Sequence, residues 1–232
     1  MRFISALLVC LLSILFVDLA AAQERPFSHF GIAKDAERYE AYVKANWKAA
    51  TKKPAELRLA AEKQMAADPR AASRDYATAV ATDPKNAESW LGLARALLAI
   101  KADPNAGSER YDLPVNASGA AYRAYERAFD KTVKARALSV LSEAMQRRSF
   151  WRPAIDALKS SLVLVDDAKV RESYEKLRAE HGFRMTDYKT EAEQPNPRVC
   201  VQFSENLARG QGRRPSSGAG CKRSGPQART AE

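Results

Sequence analysis

Cysteine, histidine and aromatic residues are scarce in this chain: 232 residues hold three Cys, two His and 8% Phe, Trp and Tyr. Three cysteines cannot staple a small disulfide scaffold. The two histidines, His29 and His181, stand far apart and neither has Cys, Asp or Glu neighbours at metal-ligand spacing. Glycine is equally sparse, and five of its ten residues fall between 210 and 232. No glycine-rich phosphate loop and no G-x-S-x-G or S-x-x-K pattern occurs, so neither an enzyme site nor a cofactor is expected. A charged share of 28% excludes a polytopic membrane protein. What is abundant is alanine, 43 residues of it, the side chain that loses least on entering a helix. A mainly α fold follows.

The net charge of +10 suggests a polyanion partner until it is located. Half of it lies in residues 208–232, where Arg209, Arg213, Arg214, Lys222, Arg223 and Arg229 face a single acid, Glu232. The remainder is spread through mixed-sign helices, so no nucleic acid is expected as a partner.

Residues 1–22 follow the layout of a secretory signal peptide. Arg2 precedes an apolar run from Phe3 to Val17, and Ala20, Ala21 and Ala22 form a small-residue site with cleavage expected after Ala22. A run of this length falls short of the roughly 20 residues needed to span a bilayer, so membrane contact is expected only through an uncleaved segment. A secreted or periplasmic destination follows, and there Cys200 and Cys221 could oxidise.

Residues 23–182 read as a helical domain. Three- and four-residue spacing of apolar side chains predicts helices over 34–50, 54–67, 70–82, 86–101, 118–131, 135–147, 151–164 and 167–181. Asp166 and Asp167 are placed to accept the orphan amides of the last of these, and His181 to cap its terminal carbonyls. The segment from Lys101 to Ser118, rich in Pro, Gly, Asn and Ser, is predicted as a loop.

Aligned on one another, these helices repeat a pattern. Ala72, Tyr76 and Ala79 recur as Ala121, Tyr125 and Ala128, then as Ala154, Leu158 and Ser161, and Pro84, Trp90, Leu93 and Ala94 follow the first set. The pattern resembles the tetratricopeptide repeat, a helix pair of about 34 residues that buries its apolar face only by stacking on neighbours. The resemblance implies a helical-hairpin solenoid, capped here through Val170, Tyr174, Leu177 and Phe183. In such stacks a concave face can take a peptide. The residues expected on it are Arg95, Leu98, Arg136, Glu143 and Arg147, although the same positions also fit a solvated and unused surface.

After Gly182 the period changes to two. FRMTDYK is rich in strand formers, and RVCVQFS alternates Val199, Val201 and Phe203 with Cys200, Gln202 and Ser204 across a proline-containing connector. The stretch from His181 to Gly210, and NPRVCVQFSE within it, resembles the opening of the first macroglobulin-type β-sandwich of bacterial alpha-2-macroglobulin family proteins. That resemblance implies a periplasmic inhibitor that traps proteases, so the expected partner is a protein, either a protease or another periplasmic protein. The family's thioester motif, Cys-x-Glu-Gln, is absent. Residues 183–207 would hold two strands of an incomplete sandwich, and 208–232, with no bulky apolar residue, a disordered basic tail. Such a tail fits either a natural extension or a truncated longer protein read out of frame.

Overall fold

All but the first of the described helices pack in chain order, each against the next. The computed structural model describes residues 26–103, 105, 107–191, 193 and 197–204. The signal segment with its cleavage after Ala22, Cys221 and the basic tail lie outside the described residues. Within them run α1 (Phe30–Asn46), α2 (Pro54–Gln64), α3 (Pro69–Thr82), α4 (Ala87–Ala99), α5 (Glu109–Arg127), α6 (Lys131–Arg147), α7 (Trp151–Leu164), α8 (Ala168–His181), β1 (Met185–Glu191) and β2 (Arg198–Phe203). From α2 to α8 each helix packs on its successor, while α2 also touches α4 and α4 touches α6. Helix α1 departs from that order, crossing back to lie on α5 and, more lightly, on α3.

Several helix starts are written in single residues. Asp68 accepts the amide of Ala71 at 2.9 Å with Pro69 in the first helical turn. Asn86 accepts from Ser89 at 2.9 Å, Asp130 from Val133 at 3.0 Å, and Asp167 from both Lys169 and Val170. Each side chain satisfies amides that have no carbonyl partner inside the helix.

The predicted loop over Lys101 to Ser118 is corrected. Helix α5 begins at Glu109 and runs through Pro114. Proline there forfeits the bond its N–H would give to the Arg110 carbonyl, yet Pro114, Ala117, Ser118 and Ala120 are buried against neighbouring helices. Packing outweighs the one lost bond. Helix α1 likewise starts earlier than the expected 34 and ends before Trp47, whose ring meets Tyr42 edge-on at 5.6 Å.

Close approach depends on two glycines. A Cβ on Gly92 would stand 2.0 Å from the Tyr76 ring, so α3 and α4 can lie as they do only with no side chain there. A Cβ on Gly119 would meet the Asp35 carbonyl at 3.1 Å and Ala36 Cα at 3.2 Å, where α1 rests on α5. Around these contacts Ala72, Ala94, Ala121, Ala137, Ala144 and Ala154 are wholly buried. Trp90, also wholly buried, donates its indole N–H to the Pro84 carbonyl at 2.9 Å, and the Arg127 guanidinium lies over its ring at 5.1 Å.

Inward-facing charges tie α1 down. Glu40 pairs with Arg123, Arg127 and Lys44, each at 2.8 Å. Asp35 pairs with Arg148 at 2.8 Å, and Arg148 also donates to the Ser118 hydroxyl at 2.6 Å. Burial alone would raise the Glu40 carboxyl, but bonds from Lys44 and Arg127 and the charges of Arg127 and Arg123 together outweigh it and hold Glu40 below the usual carboxylate range.

Strands β1 and β2 pair antiparallel, with Tyr188 opposite Val201 and Thr190 opposite Val199, and with a register irregularity between Met185 and Asp187. Phe183, expected to cap the helices, turns instead to the hairpin and stacks on Phe203 at 4.9 Å. Leu177 is buried and Val170 and Tyr174 are half-buried against the helical core, so those three do cap it. Met185, Tyr188, Val199 and Val201 are exposed. Cys200 is disulfide-bonded.

Two outcomes follow for stability. Gly92→Ala should cost about 1–3 kcal/mol by overpacking, read as a lower urea midpoint at unchanged slope. Glu40→Gln should destabilise the protein at neutral pH. Because the folded-state Glu40 pKa is depressed, its contribution is present above the unfolded value and is lost as pH falls through the folded one. The gap between wild type and variant should therefore close in acid, measured by thermal unfolding from pH 7 to 3.

Candidate protein-binding cleft

Helices α4 and α6 lie side by side, and with the α7–α8 junction they enclose a cleft of about 500 Å³. Leu91 from α4, Val140 from α6, Val165 after α7 and Val170 from α8 give it apolar walls. Two arginines stand at it, Arg95 from α4 and Arg136 from α6. Arg95 pairs with Glu62 at 3.4 Å and Arg136 with Glu88 at 2.7 Å, and both guanidinium side chains remain about half exposed, at 46% and 53%. Exposed pairs of this kind contribute little to folding and exchange partners readily. The Asp167 carboxylate, also at the cleft, is engaged by the amides of α8.

Behind Arg95, a polar relay reaches the core. Tyr76 donates its hydroxyl to Glu62 at 2.6 Å, and that bond, with the Arg95 charge, holds Glu62 below the usual carboxylate range despite partial burial. Burial and the Glu62 carboxylate push the Tyr76 hydroxyl well above the ordinary tyrosine value. Glu62 is thus ionised at neutral pH and orients Arg95.

The other three residues expected on the concave face gather elsewhere. Leu98 is buried, and its carbonyl accepts from Arg147 at 2.6 Å while Arg147 pairs with Glu143 at 2.7 Å. This cluster ties the end of α4 to α6. The sequence reading therefore names both arginines of the cleft but not Leu91, Val140 or Val165, because walls drawn from several helices have no sequence spacing. Leu91, directly before Gly92, carries the one local signal that could have marked it.

His181 does not cap α8 as expected. Its ring lies flat on Trp151, with centroids 3.8 Å apart and an interplanar angle of 2°. Arg184 takes the capping role, donating to the carbonyls of Glu180 at 2.7 Å and Ala179 at 3.4 Å. Among the described residues no group of three or more His, Cys, Asp or Glu is placed to hold a metal ion, and no helix is long and apolar enough to cross a membrane.

The arginines divide into two classes that unfolding should separate. Arg95→Ala and Arg136→Ala should each change stability by no more than about 0.5 kcal/mol. Arg148→Ala leaves Asp35, 12% exposed, with only the exposed Arg38 at 3.5 Å, and should cost more, about 1–3 kcal/mol by urea denaturation.

No protein-family model matches the chain, and no curated protein matches it in sequence.

Proposed function

We propose that the chain is a non-enzymatic, exported protein-binding module: a tetratricopeptide-like solenoid that takes an extended acidic segment of a protein partner in the cleft between α4 and α6. The observation that carries the reading is the pairing of apolar walls with two half-exposed guanidiniums held by weak, exchangeable ion pairs. A partner carboxylate replaces Glu62 or Glu88 at little cost, and its neighbouring apolar side chains settle against Val140 and Val170. The helical order supports the repeat reading as well. Tyr76 fills the space that Gly92 leaves, as the recurring small and large positions require, and α2, α4 and α6 touch in sequence along one side. Export rests on the pattern of the first 22 residues.

A second reading makes the same chain the N-terminal part of an alpha-2-macroglobulin-like endopeptidase inhibitor, with the helices as a leader and the hairpin as the first strands of a sandwich. It is favoured by the exposed apolar side chains Tyr188, Val199 and Val201 on a two-stranded sheet, since an isolated hairpin is marginal in water.

The cleft is tested with fluorescent decapeptides that alternate Val or Leu with Asp or Glu, against versions carrying Asn or Gln. Binding by anisotropy should favour the acidic set, weaken with salt, and fall at least about tenfold in the Arg95→Glu, Arg136→Glu double variant. Equal binding of acidic and amide peptides, or an unaffected double variant, contradicts the proposal.

A further inference from the structure

The two histidines, remote in sequence, meet in a second cleft away from the α4–α6 site. His29 before α1, Trp151 and Arg152 at the start of α7, His181 at the end of α8 and Arg184 before β1 line a space of about 630 Å³, within the range of small-molecule sites.

Three features of this cleft converge. The Trp151 and His181 rings form a parallel stack that lines the cleft. Arg152 and Arg184 both line the cleft and are exposed. Arg184 is held in place by its bonds to the carbonyls of Glu180 and Ala179, which engage one of its three nitrogens. His29 adds a polarity of its own. Its Nδ1 is buried beside the first turn of α1 without a hydrogen-bond partner.

From this arrangement we infer that the junction of helices and hairpin is a binding site for an aromatic carboxylate, whose ring lies along the Trp151–His181 stack and whose carboxylate accepts from Arg184, with His29 beside it in the lining. The ligand is either a free aromatic acid or a peptide ending in an aromatic residue. Both present a planar ring near a carboxylate.

Because the chain has two histidines, their imidazole C–H signals report on the site directly in NMR spectra of the full chain. Titration with 3-phenylpropionate should move both signals on one isotherm, and 3-phenylpropanamide should bind at least about tenfold more weakly. Arg184→Gln should weaken the acid by a similar factor. Arg171→Gln, at an exposed residue paired with Asp166, should leave it unchanged. If Arg184→Gln disturbs the fold by circular dichroism, Trp151→Leu, which removes half of the stack and keeps both histidines, takes its place and should weaken the acid likewise. A peptide ending in Phe with a free carboxylate assigns the source: tighter binding than the free acid marks a chain terminus, and equal binding a small molecule. Unmoved histidine signals at millimolar acid, movement of one signal alone, or equal binding of acid and amide overturns the site.

Discussion

Contact between helices with no side chain between them is the constraint on which the rest of this structure depends. Where Gly92 faces Tyr76 one added carbon has no place to go, and where Gly119 faces Asp35 and Ala36 it fits only if the backbone of α1 gives by a few tenths of an ångström. Alanine does the same work along the other seams. Close approach lets a chain with few aromatics bury a continuous core, because each helix then lies within reach of the next side-chain layer. It also sets where everything else stands. Tyr76, seated against Gly92, fixes Glu62, which stands beside Arg95 at the cleft.

The arginines show how the same side chain serves two ends. Arg123, Arg127 and Arg148 are largely buried and bind α1 to the helical body through Glu40 and Asp35. Arg95 and Arg136 make their pairs in solvent and keep half their surface open. Net charge alone hides that division. Most basic side chains of the helical region are exposed, and it is the few largely buried ones, Arg123, Arg127 and Arg148, that hold helices together.

Much of this was legible in sequence, for physical reasons that differ from element to element. Helix α7 was readable because Trp151 to Leu164 carries a clean apolar period and ends in a run with no competing signal. Helix α5 was half hidden: Pro114 and the polar residues before it look like a loop, and only burial of that turn against other helices reverses the reading. The hairpin was visible as period two, but its bulge between Met185 and Asp187 was not. Arg147 was readable as a surface charge, whereas its bond to the Leu98 carbonyl depends on a contact across the fold. The placing of His29 and His181 on one cleft belongs to the same class, since two residues at opposite ends of the helical region share no local pattern.

Helices joined mainly to their neighbours gain stability from the middle outward. Helix α4, with neighbours on both sides and lateral contacts to α2 and α6, should be the most tightly held. The hairpin, with exposed apolar residues and one partner strand, should open on its own. Native-state hydrogen exchange across a denaturant series measures this directly. The account predicts that amides of α4, α5 and α6 exchange only through global unfolding, while those of β1 and β2 exchange through a local opening of lower free energy. Exchange of α4 by local fluctuation, or a hairpin as protected as α4, would contradict it.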